Sequence, residues 1–214
     1  MKDSAQKPHI SVAFLTAASL LLAAPLSHAH HAMGGATPTT SIEGMLSGIA
    51  HPVIGLDHFA FLIIAALLSF TLQGKARYLV PLGFVAATVA GTLYHLGSAE
   101  LPMAETVIAL SVLLGGMAVM LRHNIQALTM AILFAAIGVF HGYAYGESII
   151  GAEQTPLLSY LAGFAFIQYA VITGGAKLLS MLAERSAKAQ SLAMRFGGAL
   201  TAATGAVFLG MNLA

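Results

Sequence analysis

The sequence predicts an all-α fold: a polytopic membrane bundle of six transmembrane helices behind a cleaved N-terminal signal peptide. Three observations carry that expectation. First, 58% of the 214 residues are hydrophobic and only 8% charged, where an ordinary soluble domain has about 25% charged residues. Second, apolar stretches long enough to cross a bilayer recur along the chain with short connections between them. Third, the basic residues fall on alternate connections only. The mean hydropathy of +0.85 agrees with all three. Cysteine is absent, which excludes disulfides, thiolate ligands and a cysteine nucleophile. A net charge of +1 gives no footprint for nucleic acid.

The first element, residues 1–29, is expected to be removed. MKDSAQKPH is a polar start with Lys2 and Lys7, and ISVAFLTAASLLLAAPL is an apolar core. Ser27-His28-Ala29 then puts small residues at the third and first positions before a cut. That is the layout of a secretory signal peptide, which lies outside the fold; the alternative is a retained first transmembrane helix. Cleavage after Ala29 makes His30-His31 the new terminus, outside the cytoplasm. Residues 30–214 form a single domain of six spans.

A helix needs roughly 20 residues to cross about 30 Å of hydrocarbon. The segments that qualify are 53–72, 78–97, 103–121, 125–145, 157–182 and 192–213. Pro52 is expected in the first turn of the first span, where its missing N–H costs nothing. His51 then stands just outside, with Asp57-His58 about one and a half turns in. His95 lies near the end of the second span. Pro102 opens the third and leaves Glu105 one turn inside it. The fourth closes in FHGYAYGES, and the Gly-Ala sequences GGMA, AGT, GGAL and ATGA suit close helix packing in lipid.

Seven basic residues follow the signal peptide: Lys75, Arg77, Arg122, Lys177, Arg185, Lys188 and Arg195. All lie where spans one, three and five meet spans two, four and six. By the positive-inside rule those connections face the cytoplasm, which puts both ends of the mature chain in the periplasm. Glu43, Asp57, Glu100, Glu105, Glu147 and Glu153 then lie on the outer side with most of the histidines. The polar chemistry gathers at the external mouth.

HPVIGLDH, residues 51–58, is the centre of that chemistry. An ionised aspartate in a span costs about 2.5–3.5 kcal/mol at the bilayer centre, so it normally has a partner and a task. Imidazole with carboxylate is a ligand set for first-row transition metals. On a straight helix His51 and His58 stand about 10 Å apart, too far for one ion with bonds of about 2 Å. A break at Pro52 and Gly55 brings them together; otherwise they serve successive positions of a moving ion. Both arrangements stay open at this point. The metal ligands expected are His51, Asp57, His58, His141 and Glu147, with His30, His31, His95 and Glu105 as accessories. His95 also reads as an interfacial or packing residue, Glu105 as a helix N-terminal charge, and Tyr143 and Tyr145 as belt residues. Gly142 and Gly146 are expected to loosen the helix and turn carbonyls inward.

The motifs resemble those of a known family. His51-Pro52 followed by Asp57-His58 is similar to the first signature of the HupE/UreJ family of nickel/cobalt permeases. FHGYAYGES resembles the second, Phe-His-Gly-x-Ala-His-Gly-x-Glu, and AETVIALSVLLGG, residues 104–116, resembles the third span. The resemblance implies uptake of Ni2+ or Co2+ across the bacterial inner membrane, with a functional link to hydrogenase, urease or cobalamin synthesis. It carries roles onto His51, Asp57, His58 and His141. Tyr145 replaces the second signature's later histidine, and Ser148 holds its final Glu position with Glu147 one residue early. These departures put the identity of the metal in question more than transport.

No phosphate-binding loop is present, so a secondary permease without ATP hydrolysis is expected; no permanently bound cofactor is expected. No H-E-x-x-H or nucleophilic serine motif is present, so an enzyme is not expected. The alternatives are a copper or zinc permease, an intramembrane metalloenzyme using the same cluster, and a metal-binding assembly or sensor protein.

Overall fold

The structure, a computed structural model, describes residues 36–97, 100–121 and 124–214. The expected signal peptide, His30-His31, Arg122 and His123 lie outside the described residues. Among those described there are seven α-helices, one short 3-10 helix and no strand. They are α1 Ser41–Ile54, α2 Leu56–Thr71, α3 Ala76–Leu96, α4 Ala104–Met120, α5 Ala127–Gly146, the 3-10 helix Glu147–Ile149, α6 Gln154–Arg185 and α7 Ala187–Leu213. The all-helical fold is therefore as expected.

Four helices are long and apolar enough to cross a membrane: α3, α5 with its 3-10 extension, α6 and α7. A fifth crossing needs α1 and α2 taken as one span bent by 77°. The remaining helix, α4, has 17 residues, which at 1.5 Å each reach only about 25 Å. Among the described residues, four or five candidate spans thus stand where six were expected.

The first span departs most from expectation. Instead of starting at Pro52, a helix starts at Ser41, runs through Pro52 and stops at Ile54. Its start is set by a capping box: the Glu43 N–H donates to the Thr40 hydroxyl at 3.2 Å, and the Thr40 N–H donates to the Glu43 carboxylate at 3.2 Å. The sequence TSIE, residues 40–43, carries that signal. Pro52 removes one intrahelical donor in the last turn, and α1 ends two residues later. Gly55 joins the two helices, donating to the His51 carbonyl at 3.1 Å while its own carbonyl accepts from Phe59 at 2.7 Å. Asp57 and His58 consequently sit in the first turn of α2.

The most extensive helix pairings are α3 with α5, α4 with α7 and α1 with α6. Glycine makes each one close. A methyl group at Gly142 would overlap the Thr88 carbonyl, one at Gly205 the Leu113 backbone nitrogen, and one at Gly48 the Tyr160 carbonyl. Gly142 and Gly146 do not loosen α5, which runs unbroken to Gly146. The Gly142 carbonyl instead accepts the Thr92 hydroxyl at 2.7 Å. At the opposite end of the bundle, Arg77 donates to the carbonyls of Leu72 and Phe70 and to the Ser180 hydroxyl. That fork ties the end of α2 to α3 and α6. Between these ends, Phe61, Leu62, Ile64, Phe84, Phe134 and Ile172 fill an apolar core.

Candidate metal centre

The bend at Gly55 decides what HPVIGLDH does. It folds the end of α1 against the start of α2, so the His51 and His58 rings stand 5.8 Å apart between centroids. The close packing of α3 on α5 fixes His141 in the interior, and its Nδ1 lies 3.0 Å from Nδ1 of His58. All three imidazoles are buried, at 2%, 2% and 0% exposure. The Tyr145 ring fills the space between, 5.1 Å from His51 and 4.6 Å from His58. Phe61 backs His141 at 4.5 Å. Asp57 is buried too, and its Oδ1 accepts the His58 N–H at 2.8 Å. A carboxylate there meets both an unpaired helix-start N–H and the positive end of the helix dipole.

The neighbours assign the tautomers. The Ser111 hydroxyl donates to the Ile108 carbonyl at 2.7 Å, so toward His141 Nε2, at 3.4 Å, its oxygen accepts. His141 therefore carries its proton on Nε2 and presents a bare Nδ1 to the Nδ1–H of His58. For His51 the logic is the same. The Tyr160 hydroxyl donates to the Tyr145 carbonyl at 2.7 Å, so its oxygen accepts from His51 Nδ1 at 3.3 Å. Ser148 Oγ lies 2.7 Å from the same nitrogen. Nδ1 of His51 is thus its N–H, and Nε2 is its basic nitrogen. A hydrogen bond to one ring nitrogen, which fixes the tautomer and the direction of the other, is how protein sites orient a ligating histidine.

Two imidazole nitrogens about 3.0 Å apart are spaced as adjacent ligands at right angles on one ion with bonds of about 2.1 Å. Seating an ion between His58 and His141 requires the His58 proton to leave Nδ1, by a shift to Nε2 or by release. Among the described residues, no group of three or more His, Asp or Glu side chains is arranged to hold one ion. The pair by itself offers two nitrogen donors.

The other expected ligands lie elsewhere. Glu147 is exposed and does not join the imidazoles. With Glu105, Thr106, Tyr143 and Asn212 it lines a separate cavity of about 250 Å3 at the same end of the bundle. His95 is apart from the cluster, with its ring 4.2 Å from Tyr143. Ser148 and Tyr160, which hold His51, carry no sequence signal of that role. Serine three residues beyond Tyr145 was legible only as a lost carboxylate, and Tyr160 sits in the unmarked sequence LLSYLAG.

Comparison with known proteins agrees with these motifs. The family model for HupE / UreJ protein matches residues 18–208. The chain belongs to the HupE/UreJ family. Protein HupE of Rhizobium leguminosarum bv. viciae is 31% identical over 196 residues, which cover 91% of this chain and 96% of that relative. No solved structure matches. In this HupE/UreJ chain both residues that depart from the signature, Tyr145 and Ser148, are buried against the imidazoles.

Proposed function

We propose that this protein is a secondary permease that admits a divalent transition-metal ion, nickel or cobalt, across the bacterial inner membrane. Membership of the HupE/UreJ family supports the class. The observation that carries the reading is the His58–His141 pair, two buried imidazoles meeting Nδ1 to Nδ1 at 3.0 Å inside a helical bundle with Asp57 and His51 beside them. The positive-inside distribution supports an external position for the cluster, with the mature termini periplasmic. The bent α1–α2 pair serves as the first of six crossings, and α4 as a short third one.

The incoming ion meets the carboxylates of Glu105 and Glu147 first, then exchanges part of its water for His51, His58 and His141. Asp57 balances the charge. Few protein ligands and several retained waters suit a carrier, since binding must replace hydration yet permit release. The cargo is supplied to a nickel or cobalt user such as hydrogenase, urease or cobalamin synthesis.

The test is cellular accumulation of nickel, cobalt, copper and zinc by wild type and His58→Ala at equal membrane expression. Loss of nickel or cobalt accumulation in the variant is expected. Equal accumulation of all four ions by the two proteins defeats the proposal.

A further inference from the structure

The buried face of α6 repeats every four residues as Tyr160, Phe164, Gln168, Ile172 and Ala176, each with no exposed surface. Gln168 is an amide in an otherwise aromatic and aliphatic stripe. Its orientation is set by its partners. Nε2 lies 3.2 Å from the Thr88 hydroxyl oxygen and 3.1 Å from the Phe164 carbonyl. The Thr88 hydroxyl donates to the Val85 carbonyl at 2.7 Å, so both neighbours of Gln168 are acceptors and the amide nitrogen must face them. The amide oxygen points away, and Oε1 has no hydrogen-bond partner among the described residues.

The depth of this oxygen matters. Thr88 packs against Gly142, the residue after His141. The Gln168–Thr88 bond therefore lies near the level of the histidine pair, and Phe164, one turn before Gln168, packs on the Tyr145 ring that borders His58. An unpaired carbonyl oxygen at membrane depth is unfavourable. A methionine of similar length would fill the space without that cost. The oxygen gains a use when a cation comes near, because amide carbonyls are ligands for divalent ions and supply no net charge that would trap them.

We propose that Gln168 Oε1 is a coordination point for the divalent cation as it leaves the His58–His141 pair, a neutral oxygen station at the centre of the bundle. This rests on the transport reading above. Thr88 and the Phe164 carbonyl hold the amide nitrogen so that only oxygen is offered to the path.

The experiment uses sealed vesicles containing the purified, untagged protein, with Ni2+ or Co2+ alone as the probe. Gln168→Met is expected to lower the maximal uptake rate about tenfold or more, the scale of a lost site contact. Thr88→Val removes one anchor but leaves the oxygen, and keeps most of the rate. Gln168→Glu keeps the shape and adds a charge, so it lowers KM and slows release together. Equal rates for Gln168→Met and wild type overturn the role of Gln168. So does an equal loss in Gln168→Met and Thr88→Val, which marks a structural part only. If Gln168→Met fails to fold, Gln168→Glu decides, and unchanged KM and maximal rate overturn the proposal. Wild-type vesicles that move neither ion overturn the transport reading as well; wild-type flux with silent variants overturns this inference alone.

Discussion

His58 and His141, eighty-three residues apart in the chain, meet Nδ1 to Nδ1 at 3.0 Å. Rings that act as one ligand pair lose their function together. His58→Ala and His141→Ala should each reduce uptake by at least about 10–100-fold, the scale known for disturbing metal sites. The double variant should be little worse than either single one, because side chains that share one site are not additive. Initial rates of Ni2+ uptake at matched membrane levels check this. Full additivity would show two independent sites.

His51 presents Nε2 only while Ser148 and Tyr160 hold its Nδ1–H. Ser148→Ala and Tyr160→Phe should therefore weaken metal binding, each by about tenfold, while leaving the ligands in place. Titration of purified variants with Ni2+ measures it. Ser148→Glu, which restores a carboxylate, should bind more tightly than Ser148→Ala.

Tyr145 is fully buried, and its hydroxyl has no partner among the described residues. An unpaired buried hydroxyl costs about 1–3 kcal/mol. Tyr145→Phe should therefore melt at the same temperature as wild type or higher, in detergent without metal. Tyr145→His places a fourth imidazole beside His51 and His58, and should raise affinity for nickel relative to wild type. A lower melting temperature for Tyr145→Phe would show that the hydroxyl is bonded in the folded protein.

Much of this was legible in sequence and some was not. The helical class follows from composition, and the HPVIGLDH and FHGYAYGES motifs point at His51, Asp57, His58 and His141. The 77° bend was not foreseen as such, because Pro52 was read as a helix start. The capping box at Thr40 and Glu43 was the available signal that α1 begins earlier. Glycine was misread in a similar way. Gly142 and Gly146 suggest looseness when read along one helix, and only the facing Thr88 and His95 show that they allow contact. Glu147 was grouped with the imidazoles by its place in the motif. The short 3-10 turn directs Ser148 inward instead and leaves Glu147 at the cavity mouth. Gln168 and Tyr160 carry no motif, since what marks them is a partner, or its absence, on another helix.

Gly142 allows α5 to approach α3 so closely that a methyl group there would overlap the Thr88 backbone. Backbone cannot move aside as a flexible side chain can. Gly142→Ala should therefore destabilise the protein by about 1–3 kcal/mol or more, the range for overpacking. It should also reduce uptake, because the neighbouring His141 shifts with it. Gly83→Ala, where a methyl group meets nothing within 4 Å, is the matched control and should leave both quantities unchanged.

The most direct measurement is the X-ray absorption spectrum of Ni2+ bound to purified, untagged protein, for wild type and His141→Ala. The wild-type shell should contain imidazole nitrogen at about 2.1 Å together with oxygen ligands, and His141→Ala should lose one imidazole. A shell of oxygen alone, or an imidazole count that His141→Ala leaves unchanged, would contradict a cation site built on His58 and His141.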